Sequence, residues 1–349
     1  MKATSPPTCG GGVLSNDNRF SGYLKMDTAI ISLPAVIDQP HLPSTLRAAL
    51  DSAIDLASNS RAASTRAAYA RDWRIFERWC VEHDLCPMPA SPAAVAAFLA
   101  DQVAHGMKPS TLGRRLAALK HAHKAAGEES PTDDERVKAV LNGARRTLGV
   151  APRKLAAATS EKTIGMATLV RPGLAGLRDR AILLLAFSLA ARRSELVALD
   201  VEDIEECPEG LRVRNRKSKT DQEGVGATVA VCRGSIACPV TALKDYLEAA
   251  GVTSGPVFRR IRRGNHLTDQ RLTAQTICRL VKDHAAKLGL DPKQYGAHSM
   301  RAGFLTSAAA KGANLFKMMD ISRHKSVDTL RGYVRSADAF RDHAGAGLL

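Results

Sequence analysis

Apolar and polar positions divide the 349-residue chain into stretches of different kind. Residues 1–40 show no sustained period, only a mixed run that includes "PPTCGGG", and read as a flexible N-terminal arm. From residue 41 to 148 the spacing is helical. Tyr69, Trp73, Phe76 and Cys80 recur along one helix face, with Ser64 placed to cap that helix. A second helix opens at "SPAAVAAFLA", with Ser91 as cap and Pro92 in the first turn, and closes at Gly106. A third follows "KPS" and turns Leu112, Leu116 and Leu119 inward. A fourth runs from Asp133 to Leu148 and begins with Asp133, Asp134 and Glu135, the charge that a helix N-terminus favours. Together these elements predict a small helical bundle.

Residues 149–160, "GVAPRKLAAAT" and the residue after it, are proline-bearing and basic and read as a linker. The pattern beyond, from 161 to 349, is mixed. "LRDRAILLLAFSLAARRSELVALDVEDI" predicts a buried helix leading into a short second one. "LRVRNRKSKTDQEGVGATVAV" alternates around a glycine-bearing turn and predicts a β-hairpin. From "TAQTICRLVKDHAAKLGL" onward the period is helical again. The fold class expected is therefore mainly α: a helical bundle followed by a mixed α/β domain that is mostly helix with a small hairpin or sheet.

Charge adds a partner to this picture. The net charge is +15, and an excess of that size favours a polyanion, nucleic acid or an anionic membrane surface. No apolar run is long enough to span a bilayer, the longest being near "AILLLAFSLAA", and the N-terminus lacks the apolar centre of a signal peptide. A cytoplasmic protein without a membrane partner is expected. The seven cysteines are scattered, odd in number and free of CxxC pairs, which suits reduced thiols better than a disulfide frame or a zinc site. His121 and His123, two apart on a helix, point to different sides and read as solvated or nucleic-acid-facing rather than as metal ligands. No metal and no cofactor is expected.

Phosphoryl transfer without a metal needs cations for the developing charge, a nucleophile and an acid for the leaving oxygen. Arg192 in "ARRSEL" lies at the end of the long apolar helix, and Glu195 three residues on can orient it. "HSMR" puts His298 and Arg301 one turn apart on the same helical face. Lys219 lies in the turn of the hairpin, where an amine could reach a leaving oxygen. His324 in "SRHKS" and Tyr333 in "SVDTLRGYVR" are nine residues apart. On one straight helix they would fall on roughly opposite faces, so they converge only if the chain breaks between them, for which Ser326 and Gly332 are the candidates. Taken singly, the motifs are better explained by a surface ion pair or a solvated residue.

Taken in order, Arg192, Lys219, His298-x-x-Arg301, His324 and Tyr333 resemble the tyrosine recombinase (phage integrase) superfamily, and within it the simple Cre-like and Xer-like members. The resemblance implies that Tyr333 attacks a DNA phosphodiester to give a 3′-phosphotyrosyl bond. Arg192 and Arg301 would clamp the non-bridging oxygens, and Lys219 would protonate the leaving 5′-oxygen. His298 would assist proton transfer, His324 would hydrogen-bond the phosphate, and Glu195 would support the site. It implies a C-shaped clamp on double-stranded DNA, with a helical core-binding domain on one face and the catalytic domain on the other. Four protomers would act on two core sites through a Holliday junction, without ATP or metal. The C-terminal tail, 336–349, resembles the segment that docks in trans on a neighbouring protomer. The first forty residues are too short for the additional arm-binding domain that many phage integrases carry.

DNA-contacting residues are expected on the bundle at Arg66, Arg71, Arg114, Arg115 and Lys120. In the second domain the basic run Arg259, Arg260, Arg262 and Arg263 would grip phosphates, and Gln275 in "RLTAQTICRL" would read a base, adenine by preference. Two other readings stay open. One is a sequence-specific DNA-binding protein that kept the fold but not the chemistry. The other is a monomeric enzyme of topoisomerase IB or end-resolving type. Covalent adduct formation discriminates against the first, and assembly on DNA against the second.

Overall fold

The computed structural model describes residues 43–151, 154–216, 226–324 and 326–337. The chain forms two compact units, divided between Pro152 and Arg153. The first is all helix: α1 (Ser44–Ser58), α2 (Ala63–Glu82), α3 (Pro92–Ala104), α4 (Pro109–Ala125) and α5 (Glu135–Leu148). Its core is the apolar face that the spacing marks, with Trp73, Phe76, Phe98, Leu99, Leu112 and Leu119 almost fully buried. Phe98 stands edge-on to both Phe76 and Trp79, an arrangement that aromatic quadrupoles favour.

Helix ends follow the local chemistry, with two departures. Ser91 caps α3 by accepting from the Ala94 N–H at 3.1 Å. Ser64 caps nothing, because α2 has already begun at Ala63. The acidic run before α5 is split: Pro131–Asp133 is a 3₁₀ turn, and Asp134 caps the helix by accepting from the Arg136 N–H at 2.8 Å. His123 is not solvated. It is fully buried, its Nε2 accepting from the Ala90 N–H at 3.0 Å and its Nδ1 bonded to the Leu119 carbonyl at 2.9 Å. Those two roles fix a neutral ring, and burial, the main cause, keeps its pKa below the ordinary value.

The second unit is built around α7 (Leu174–Ser188), which is buried on nearly every side, as a helix with little amphipathic bias must be. Around it lie α6 (Ser160–Thr168), the short α8 (Arg193–Ala198), α9 (Pro239–Ala250), α10 (Ala274–Lys287) and α11 (Ala297–Ala310), and then α12 (Leu315–Ser322) and α13 (Val327–Ala337). A three-stranded antiparallel sheet, β1 (Ile204–Cys207), β2 (Gly210–Asn215) and β3 (Ala227–Cys232), runs in the order β1-β2-β3. The expected hairpin is β2–β3, with Leu211 opposite Val231 and Val213 opposite Val229, all four buried. A small second sheet pairs β4 (Arg259–Ile261) with β5 (Leu267–Arg271) and takes up part of the basic run.

The segment read as a linker is partly docked. Ala156 and Ala158 donate N–H bonds to the carbonyls of Gln294 (2.8 Å) and Ser299 (2.9 Å), and Ala158 is fully buried. Gly303 of α11 makes this approach possible: a Cβ there would stand 1.7 Å from the Ala158 carbonyl oxygen. The strand of chain that enters the second unit is thus laid directly on the helix that carries His298 and Arg301.

Candidate active site

Two local breaks in regular structure, at Ala190 and Arg323, help bring the site together. After α7 the chain turns through Ala190 in a left-handed conformation (φ 44°), and Arg192 becomes the residue that caps α8. Glu195, in the first turn of α8, reaches back to accept from the Arg192 N–H at 2.8 Å and from Arg192 Nη1 at 2.6 Å. Arg192 therefore lies at the start of a short helix, rather than within the long one, and the three-residue spacing to Glu195 works as a cap as well as an ion pair.

Arg301 comes from α11 and is 1% exposed. Its Nη1 donates to the Ala190 carbonyl at 2.7 Å, so the left-handed turn after α7 presents an acceptor to the second guanidinium. Its Nη2 lies 3.2 and 3.3 Å from the two ring nitrogens of His324. Burial, and next the charge of Arg192, bring the Arg301 pKa down to about 10, which leaves it a cation at neutral pH. His298 precedes it by one turn on α11, with its ring near the surface. Partial desolvation, followed by Arg301 and Arg192, holds His298 below the ordinary histidine value.

His324 stands between α12 and α13. The Ser322 hydroxyl donates to the Met318 carbonyl at 2.6 Å and lies 2.8 Å from His324 Nδ1. With the hydroxyl proton so used, Ser322 Oγ accepts from Nδ1–H, and Nε2 carries the lone pair that faces Arg301. Burial, Arg301 and Arg192 lower the His324 pKa to about 4, so the ring is neutral. The break that the nine-residue spacing requires is supplied by Arg323, at φ 54° and ψ 43°, rather than by Gly332, which lies inside α13. Tyr333 lies just past the middle of α13. Its half-buried ring packs with Leu305, Ala309, Met318 and Leu330. Burial raises its phenol pKa and Arg301 opposes that rise, which places the phenol within the field of the guanidinium. Lys219 lies outside the described residues, as does the tail from 338. The hairpin stem below Lys219 is tied down, with Arg216 bonded to Asp203 at 2.7 Å and paired with Asp200 at 3.0 Å.

One residue at the centre escaped sequence reading. Arg323 donates from Nη2 to Glu195 Oε2 at 2.6 Å, and its side chain is 9% exposed. Burial pushes the Glu195 carboxyl up, but Arg323 first, and then Arg192, outweigh it, and the group lies below the ordinary carboxylate value. The only signal in the sequence was an arginine wedged against His324 in "SRHKS".

The residues expected on DNA divide by environment. Arg71, Arg260, Arg262, Arg263 and Gln275 are exposed, Gln275 in the first turn of α10. Arg66 is half-buried on α2. Arg114 binds the fully buried Asp72 in bidentate fashion, at 2.7 and 3.0 Å. Lys120 pairs with Asp133 at 2.6 Å, and Arg259 with Asp269 at 2.8 Å. Arg115 departs from the expectation: it is buried, with its guanidinium 3.9 Å from Asp72 and 5.9 Å from the centre of the Phe98 ring. It belongs to the bundle core, where Asp72 needs the neutralising charge.

Two half-buried guanidiniums, of Arg192 and Arg323, closed on one buried carboxylate, the buried guanidinium of Arg301 beside two neutral imidazoles and a phenol in its field define an anion site with a nucleophile at its edge. The Phage integrase family model matches residues 163–339, which span every part of it. An integrase/recombinase xerD homolog from Selenomonas ruminantium is 35% identical over 291 residues, covering 82% of this chain and 85% of the relative. Among solved structures, the XerH site-specific recombinase bound to palindromic difH substrate superposes with a TM-score of 0.56 at 15% identity, over 84% of each chain. A lambda integrase dimer bound to a COC′ core site gives 0.56 at 18% identity, over 86% of this chain and 83% of that one. The chain belongs to the phage integrase family and is a tyrosine recombinase.

Proposed function

We propose that this recombinase cuts and rejoins DNA at a specific core site by transesterification, with Tyr333 as nucleophile. The Tyr333 oxygen bonds to phosphorus as the bond from phosphorus to the 5′-oxygen breaks. The phenol proton passes towards His298, whose lowered pKa suits a base, and Lys219 supplies the proton for the 5′-oxygen. Arg192 and Arg301 hold the non-bridging oxygens. His324 joins them as a donor in its other tautomer, with the Ser322 hydroxyl turned to donate to Nδ1 and the ring proton on Nε2 facing the phosphate. The reverse attack by a 5′-hydroxyl rejoins the strand. Because each bond broken is matched by one formed, the step is close to isoenergetic and draws on no external energy source.

The observation that carries this reading is the meeting of three separated stretches of chain: Arg192 and Arg323 close on Glu195, and Arg301 lies against His324. The net charge of +15 and the exposed arginines at 260, 262 and 263 suit phosphate contacts. The solved relatives bound to recombination-site DNA point the same way. In this reading the helical unit and the catalytic unit, joined through residues 149–160, grip the duplex together. Four copies exchange strands on two sites through a Holliday junction, and the tail of one docks on the next.

The test is direct. Sites are selected from random duplex DNA by binding and rebuilt with a nick beside the cleavage position. The full chain is then expected to give a protein–DNA adduct that survives denaturation, and Tyr333→Phe none. Tight binding without any adduct would favour a silent DNA-binding protein instead. Adducts formed only by a monomer, with no two-site assembly, would favour the topoisomerase-like reading.

A further inference from the structure

We propose that Arg323 is a positioning residue of this active site: through its ion pair with Glu195 it fixes Arg192 for the scissile phosphate. The inference rests on the reading of the site given above.

The backbone at Arg323 is left-handed, a conformation in which a Cβ is unfavourable and glycine is the default. Its Nε and Nη1 are buried with no hydrogen-bond partner among the described residues. On these two counts glycine would suit the position better. Against them stands what the arginine side chain provides to the site. What it provides is the Nη2 bond to Glu195 Oε2.

Glu195 is 3% exposed and accepts three bonds, two from Arg192 and one from Arg323. Without Arg323 the buried carboxyl loses the strongest charge that keeps it ionised. A protonated Glu195 would no longer hold the Arg192 guanidinium by charge. Arg323 also changes the charge count of the cluster. Before attack, Arg192, Arg301 and Arg323 against Glu195, with His298 and His324 neutral, leave two net positive charges, to which the phenol proton taken up by His298 adds as attack proceeds. A phosphodiester carries one negative charge, whereas the five-coordinate phosphate formed by attack of a phenolate carries two. The third guanidinium therefore favours the transition state over bound substrate, and its loss falls on rate more than on binding.

Arg323→Gly suits the left-handed backbone, so the fold is retained, and Arg323→Lys keeps the charge. With nicked site DNA under single-turnover conditions, Arg323→Gly is expected to cleave about ten- to hundredfold more slowly, with DNA affinity within about twofold of wild type. The acid limb of its pH–rate profile moves to higher pH, because Glu195 now protonates more readily. Arg323→Lys recovers most of the rate and returns the acid limb towards its original place. Wild-type cleavage by the glycine variant, or equal losses in both variants with an unmoved acid limb, would overturn the proposal. Carboxyl titration of Glu195 by carbon NMR in the free protein reads the same link without DNA. It is expected to move upward in the glycine variant, and an unchanged titration sinks the proposal. Absence of any adduct from the wild-type chain would instead strike at the proposed reaction.

Discussion

Glu195→Gln replaces a single oxygen by an NH₂ group at the centre of the site, and its effect can be worked from the bonds. The carboxylate receives three donors: Arg192 N–H at 2.8 Å, Arg192 Nη1 at 2.6 Å and Arg323 Nη2 at 2.6 Å. Its side chain is 1% exposed, so water cannot take their place. Hydrogen bonds to a charged group contribute about 1.5–3 kcal/mol each, against about 0.5–1.5 for neutral ones, so three bonds weaken by roughly 3 kcal/mol in all. The amide cannot keep all three in any orientation, because its NH₂ must face a guanidinium or a backbone N–H. The total falls in the range of about 3–5 kcal/mol found when a buried ion pair is broken. For a unit of this size that corresponds to a melting temperature lower by roughly 6–20 °C. Calorimetry of the full chain should show this loss in the transition of the second unit and leave that of the helical unit in place. The pH dependence gives an independent check. The folded pKa of Glu195 lies below its unfolded value, so its contribution is full above about pH 4.3 and disappears as pH falls through the folded pKa. The wild type should lose stability in that acid window, and Glu195→Gln should lose less. A variant melting within about 2 °C of wild type would refute the claim that this carboxylate ties Arg192 and Arg323 together.

Three further outcomes follow from separate observations. Ring-nitrogen NMR should find His324 neutral at pH 6.5, with the proton on Nδ1, titrating at about 4; titration near 6.5 would contradict the contacts with Arg301 and Ser322. Since that folded pKa is below the unfolded one, its stabilisation is complete above about 6.5 and is lost as pH falls towards about 4. Asp72→Ala leaves the buried Arg115 without its carboxylate and should cost about 3–5 kcal/mol in urea unfolding. Both tryptophans of the chain, Trp73 and Trp79, lie in this bundle and report it by fluorescence; an unmoved midpoint would show that the pair is not structural. Arg262→Ala with Arg263→Ala should lower the salt slope of DNA binding by about 2 if both grip phosphates, and an unchanged slope would remove them from the interface.

Patterns in sequence carry what depends on periodicity. The Leu112, Leu116, Leu119 stripe and the alternation of Leu211, Val213, Val229 and Val231 gave the bundle face and the hairpin, because burial repeats with the geometry of helix and strand. The small sheet at 259–271 was missed, since its strands are short and rich in arginine. The residues of the site were legible through their order and spacing, whereas their mutual geometry was not. Nothing in the spacing of "ARRSEL" shows that Arg192 is a cap, or that the left-handed turn at Ala190 offers its carbonyl to Arg301. Exposed arginines could not be told from engaged ones either. Arg114 and Arg115 are adjacent, yet one forks onto Asp72 from the surface and the other is buried beneath it, a difference set by the partner on α2. Arg323 was overlooked because its importance comes from a left-handed backbone and a distant carboxylate, neither of which leaves a local pattern.

Whether Tyr333 forms the covalent link to DNA is read by digesting the trapped adduct with protease and nuclease and sequencing the modified peptide by mass spectrometry. A nucleotide joined through its 3′-phosphate to Tyr333 in "SVDTLRGYVR" is expected, and no adduct from Tyr333→Phe. A link to any other residue, or an adduct that persists in the phenylalanine variant, would contradict the assignment of Tyr333 as nucleophile.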